Sequence, residues 1–204
     1  MMKHLFTLLI TVLFFLSPVH ESKAQTTLNE EDFLITGFSS YPNWGKFFIE
    51  QYLEGTNASE ISLGGLPPSG LKLEYMLSNQ FGFTLDGIYN SWNASWIQNT
   101  YNYDLNVTRL RIQLGFNYHI PDHGAENLDL YGGFALGSNS STRSFDTDAP
   151  NSMVENFINN PFVNIPISSR FRIGATYFLK QNFGLNVELA TGGPMIGMGV
   201  VIRP

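Results

Sequence analysis

From Val107 to Ile120 the chain reads VTRLRIQLGFNYHI, and its apolar residues fall at every second position. Leu110, Ile112, Leu114, Phe116, Tyr118 and Ile120 share one side, while Arg109, Arg111, Gln113, Gly115, Asn117 and His119 share the other. Successive side chains of an extended strand point to opposite faces, so this period of two predicts a β-strand with one oily face.

The alternation recurs along the chain. Gly70 to Leu77 sets Leu71, Leu73, Tyr75 and Leu77 against Lys72 and Glu74. Phe81 to Asn90 sets Phe81, Phe83, Leu85 and Tyr89 against Gly82, Thr84, Asp86 and Asn90. Leu128 to Leu136 sets Leu128, Leu130, Phe134 and Leu136 against Asp129, Tyr131, Gly133 and Ala135. Ser169 to Leu179 sets Phe171, Ile173, Ala175, Tyr177 and Leu179 against Arg170, Arg172, Gly174 and Thr176. Phe183 to Leu189 and Met195 to Arg203 repeat the pattern, the first with Glu188 and the second with Gly197 and Gly199 on the non-aliphatic side. A weaker polar run, Phe33 to Tyr41, opens the series, which predicts eight strands. Phe47 to Leu53 is the only segment suited to a short helix.

The connections differ in length at the two ends of this meander. Ser78-Asn79-Gln80, Lys180-Gln181-Asn182 and Pro121–Asn127 are turns, whereas Pro42–Ser69, Ala94–Tyr103 and Ser138–Pro166 are long and polar. Thr191–Pro194 is a short exception at the long end.

All charges within strands keep to the non-aliphatic face: Lys72, Glu74, Asp86, Arg109, Arg111, Asp129, Arg170, Arg172 and Glu188. Two barrels produce that parity. A soluble, lipocalin-like barrel turns the oily face inward; a membrane barrel turns it to lipid and fills its lumen with the polar face. Three features favour the membrane form. Glycine and alanine crowd the polar face, which a narrow lumen needs and a solvated face does not. Tyr75, Phe81, Tyr118, Tyr177 and Phe183 gather at the short-turn end, as in an interfacial aromatic girdle. The uncharged oily runs also approach the roughly 9–11 residues of a spanning strand. The expected fold is therefore an all-β, eight-stranded antiparallel up-and-down transmembrane β-barrel. Its lumen would hold five cations against four anions, an ion network that plugs it; a wide aqueous pore needs about 16 strands.

Composition agrees. The 204 residues suit one domain, charged residues are 14%, and the net charge of -6 without a basic cluster argues against nucleic acid. Lys3 and His4 precede the apolar run Leu5–Leu16, Pro18 breaks it, and Ser22-Lys23-Ala24 offers small residues before Gln25. Residues 1–24 are expected to be a cleaved signal peptide, since the run is too short to span a bilayer, and residues 25–204 the barrel domain. With Cys 0, neither lipidation at a cysteine nor a disulfide framework is available.

QNFGLNVELA (Gln181–Ala190), ENLDLYGGFALG (Glu126–Gly137) and the glycine-alternating last strand resemble the small outer-membrane β-barrel domain family, the OmpA/OmpX-like, porin-family group of Gram-negative bacteria. The resemblance spans nearly the whole mature chain and implies a monomer in outer-membrane lipid. Such barrels usually end in an aromatic residue read by the assembly machinery; Val201-Ile202-Arg203-Pro204 departs from that.

Candidate chemistry is sparse. His119 is expected inward as a lumenal hydrogen-bonder and His123 in a turn, neither near a nucleophile. Asp146, Asp148 and Glu155 lack the spacing of a calcium loop. Four Asn-x-Ser/Thr triplets are what chance gives in an Asn-rich chain. No cofactor or metal site is expected. The preferred reading is a non-enzymatic structural or surface-interaction barrel, with Trp44, Phe47, Phe48, Tyr52, Trp96, Tyr101, Tyr103 and Phe157 in its long connections. A lipid-modifying barrel enzyme, a soluble binding barrel and a carrier of small apolar solutes are the alternatives.

Overall fold

The computed structural model describes residues 28–121, 125, 127–149 and 165–204. The signal segment, His123, Glu126, Glu155 and Phe157 lie outside these residues. The elements are β1 (Phe33–Tyr41), α1 (Trp44–Glu54), β2 (Ser59–Met76), β3 (Phe81–Gln98), β4 (Tyr101–His119), β5 (Leu128–Thr147), β6 (Ile167–Lys180), β7 (Phe183–Thr191) and β8 (Ile196–Ile202). Every strand pairs antiparallel with its sequence neighbour, and β1 pairs with β8, from Ile35↔Ile202 to Tyr41↔Ile196, which closes the barrel. Within the closed part of the wall no strand edge is left unpaired, the condition for a sheet to stand in hydrocarbon.

The oily face is outside. Ile112 is 49% exposed, Leu114 54%, Phe116 55% and Ile173 62%, whereas Lys72, Glu74, Arg170 and Arg172 are each 3% exposed. A soluble lipocalin-like barrel is the reverse, and a continuous apolar belt of this size in water would drive association. The belt is the lipid-facing surface of a transmembrane barrel. Cross-strand aromatic pairs brace it, with Phe81–Tyr118 at 5.1 Å between ring centroids and Phe83–Phe116 at 5.4 Å.

The wall is uneven in height. β2 to β5 run 18, 18, 19 and 20 residues, whereas β1, β7 and β8 run 9, 9 and 7. Much of what the sequence suggests as polar connection is strand. Ala94–Tyr103 continues β3 and β4 through a turn at Asn99 and Thr100, both at positive φ, and Ser138–Thr147 continues β5. The four long strands stand beyond the belt as a tongue. In β2 the strand reaches it through a register shift between Leu66 and Ser69, at Pro67 and Pro68.

Helix α1 packs on the inner side of the tongue. The Asn43 side chain caps its start by accepting from the Lys46 amide, and Gly55 closes its end by donating to the Leu53 and Tyr52 carbonyls. Leu53 is fully buried against Trp92, Ala94, Trp96, Leu105 and Val107, with Ile49 and Leu63 alongside.

Candidate functional site

Four tiers fill the interior. At the short-turn end Leu28, Leu34, Met76, Phe178 and Val201 form an apolar floor, with Leu28 from the segment preceding β1. Alternation puts Leu34 on the inner face of β1 and Val201 on that of β8, where no charge had marked the inside.

Above the floor lie the charged side chains. Glu188 on β7 accepts from Lys72 Nζ at 3.2 Å, from Tyr131 Oη at 3.0 Å and from Arg170 Nη2 at 2.8 Å. Lys72 also donates to Tyr131 at 2.9 Å, and Asn186 ties that hydroxyl to Thr176. Arg172 forms an ion pair with Asp86 and donates to Asn117 at 2.8 Å and to Thr84 at 2.6 Å. Asn117 passes the chain to Glu74 at 2.7 Å. His119 then stands between Glu74, 3.0 Å from Nε2, and Asp129, 2.8 Å from Nδ1. His119 thus bridges two carboxylates, while Lys72, Arg170 and Arg172 pair with Glu188 and Asp86. Bare charges in so dry a place would cost several kcal/mol each; shared hydrogen bonds make them tolerable.

Small residues make the crossing contacts possible. A Cβ on Gly133 would collide with Asn117 Oδ1 and come 3.0 Å from Arg172 Nε, and one on Gly174 would strike the Tyr131 ring. The glycines are spaces for their neighbours' long side chains.

Arg109 and Arg111 belong to a third tier. Both face inward, half-buried, but neither forms an ion pair among the described residues. Arg111 donates to the Gly192 carbonyl at 3.3 Å and to Asn139 Oδ1 at 3.4 Å, both neutral. Of the nine charged positions, seven sit in the hydrogen-bonded tier and these two above it. Alternation gives the face of a residue, whereas its partner depends on height, which strand stagger sets. Asn117, Tyr131, Asn186, Thr84 and His119 complete the network without being charged candidates in the sequence; their inward parity was the available signal.

The fourth tier is the apolar cluster under α1. Trp96 stacks on Tyr103 with centroids 5.2 Å apart and planes 5° apart, and Phe145 lies beside both. On α1, Trp44 stacks on Phe48 at 5.6 Å, and Phe48 and Tyr52 remain 62% and 60% exposed. Asp146 is exposed, and no group of residues able to hold a metal ion occurs among the described residues.

No protein-family model matches the sequence, and neither does any curated protein sequence. Solved structures match its fold. The outer membrane protein OprG from Pseudomonas aeruginosa is 12% identical, with 88% of this chain and 98% of that one covered and a TM-score of 0.54. The N-terminal β-barrel domain of Pseudomonas aeruginosa OprF is 14% identical over 87% of this chain and 100% of that one, with a TM-score of 0.43. Ail, the attachment invasion locus protein of Yersinia pestis, is 11% identical over 86% and 96%, with a TM-score of 0.40. At these identities the likeness is one of fold, and it is to small outer-membrane eight-stranded barrels.

Proposed function

We propose that this protein is a non-enzymatic barrel of the outer membrane, closed to solute flow, that presents the tongue and α1 to a partner at the cell exterior. The observation that carries the reading is the contrast between a lumen whose lower charged tier is bound up in ion pairs and hydrogen bonds and a cap that leaves large apolar side chains exposed. Phe48, Tyr52, Tyr41 and Leu66 are each at least 60% exposed beyond the lipid belt. A groove of about 230 Å³ runs between α1 and β2, lined by Tyr41, Phe47, Leu66 and Pro67 among others. Exposed aromatics above the membrane, where no lipid covers them, are the residues that anchor protein contacts. Short turns face the periplasm and long segments the exterior in barrels of this architecture, which supports orienting the tongue outward.

Catalysis fits poorly. His119 has both ring nitrogens hydrogen-bonded to carboxylates, so neither is free to take a proton from a nucleophile, and no hydroxyl is among its partners in the described residues.

The test is fractionation with protease shaving of intact cells, together with reconstitution in planar bilayers. The protein should extract with outer membranes, shift in gel mobility on heating, lose tongue sequences to external protease and conduct little. Recovery as a soluble periplasmic monomer would sink the membrane location. Porin-sized conductance would sink the closed lumen, and complete protection from protease would sink the surface role.

A further inference from the structure

We propose that Arg109 and Arg111, with the Arg170 guanidinium beside them beneath Gly193, form a binding site for a single phosphate group, set between the charged network and the α1 cap. The site stands whether or not the tongue meets a partner.

The argument begins with charge. Arg109 and Arg111 are two positions apart on the inner face of β4, so their side chains lie on one side of the wall. Like charges that close repel, and removing them from water is costly without a counter-charge. Glu188, the carboxylate paired with the neighbouring Arg170, is already engaged, since it takes up both Lys72 and Arg170. Two guanidinium charges are thus left over inside the barrel among the described residues.

Unfilled hydrogen-bonding capacity coincides with them. Arg109 Nε, Arg170 Nη1 and Ser141 Oγ are buried atoms with no hydrogen-bond partner among the described residues. Arg170 is 3% exposed, and Ser141 is the register partner of Arg109 across β4 and β5. A Cβ on Gly193 would come 2.7 Å from Arg111 Nη1 and 3.2 Å from Arg170 Nη1, so both guanidinium groups converge beneath that residue.

A cavity is there to receive the ligand. Arg109, Arg111, Asn90, Asn43, Trp44 and Gly193 are among its lining residues, and its volume is about 40 Å³. That is room for roughly three water molecules, at about 10–15 Å³ of accessible space each. One tetrahedral oxyanion fits this space and a sugar ring does not. The walls are held independently of any ligand: Asn43 and Asn90 exchange two amide hydrogen bonds, at 2.7 and 3.1 Å, and Trp44 Nε1 donates to the Gly193 carbonyl at 2.8 Å. A phosphate group carries roughly −1.5 to −2 charges, which matches two uncompensated arginines, and guanidinium forks suit its oxygens.

Wild-type protein in phospholipid-free detergent micelles is titrated with inorganic phosphate at ionic strength held constant with chloride. Melting is read by gel mobility. Parallel samples use micelles doped with phosphatidic acid instead. Saturating phosphate should raise the melting temperature by about 5 °C or more, and Arg109→Gln/Arg111→Gln should abolish the shift. A response to inorganic phosphate identifies a free or soluble phosphate; a response to the doped micelles alone identifies a lipid headgroup. Should the double variant fail to fold, Trp44 emission reads the same event: phosphate should alter it saturably in the wild type and not in Trp44→Phe. Absence of a response in both arms and in the emission overturns the proposal, as does an equal shift in the double variant.

Discussion

The same strands behave in opposite ways at the two ends of the barrel. Around the lipid belt β3 and β4 turn Phe83, Leu85, Leu110, Ile112 and Leu114 outward and keep Asp86, Gln113 and Asn117 inside. Beyond Tyr89 they turn Trp92, Ala94, Trp96, Leu105 and Val107 inward, while Asn106 is exposed and Ser95 bonds Asp104 on the outer face at 2.5 Å. The direction of alternation does not change between the two regions; only the chemistry of each face does. Backbone pleating fixes which way a side chain points, and the surrounding solvent decides which side chains are stable there. In lipid, the polar groups can meet only each other inside. In water the usual globular order returns, and α1 supplies the second layer that a lone sheet needs to bury its oily side.

The largest expected effect lies in the lumen. Glu188→Gln removes the charge that compensates Lys72 and Arg170. Breaking a fully buried pair typically costs about 3–5 kcal/mol, and the loss should appear as a lower melting temperature of the whole barrel. Trp96→Ala in the tongue deletes a comparable amount of packing, roughly 3–5 kcal/mol for a buried aromatic, but in a separate cluster. Hydrogen exchange across residues 92–107 should accelerate while the barrel melts nearly unchanged. If Trp96→Ala lowers barrel melting as far as Glu188→Gln does, the tongue and the barrel are one cooperative unit and the two regions are not energetically distinct.

A middle-sized effect tests where the solvent changes. Ile112 and Asn106 lie on the same outward face of β4, six residues apart. Ile112→Arg places a cation against hydrocarbon and should cost about 2–4 kcal/mol in folding into bilayers. Asn106→Arg is a surface change in water and should stay within about 0.5 kcal/mol. Similar penalties at both positions would place lipid against the tongue.

The sequence exposes these two regions unequally. The barrel was legible because charges such as Lys72, Asp129 and Arg172 mark the inner face of long oily alternations. The tongue was not, although Trp92, Trp96 and Leu105 alternate just as regularly. Its outward residues on β4 and β5 are Asn, Ser, Thr and Asp, the same set that marks a solvated connection, so polarity masked the period. In β2 the shift at Pro67–Pro68 also reverses the parity, which puts Leu63 inside although Leu71 and Leu73 are outside. Pairing within the lumen was harder still. Glu74 on β2 reaches His119 on β4, and Arg172 on β6 reaches Asp86 on β3, contacts set by barrel closure and stagger that no local pattern encodes.

The smallest effect is a pH response confined to the tongue tip. Asn102, next to the β3–β4 turn, donates its side-chain amide to Asp148 Oδ2 at 2.9 Å and its backbone N–H to Oδ1 at 2.7 Å. These donors favour the charged carboxylate, so the Asp148 carboxyl titrates below its ordinary value of 3.8. The sign follows from the direction of the shift. A carboxyl whose value is depressed on folding stabilises the fold fully above its unfolded value, and that stability fades as pH falls through the folded one. Exchange at the Asn102 amide should therefore be steady at neutral pH and depart from the usual exchange profile only as the pH drops below about 4. Asp148→Asn should abolish the acid step while leaving barrel melting unchanged. An acid response that persists in Asp148→Asn would assign it to another group, and one that spreads to the lipid-facing strands would join the tip to the barrel that the Trp96 experiment sets apart.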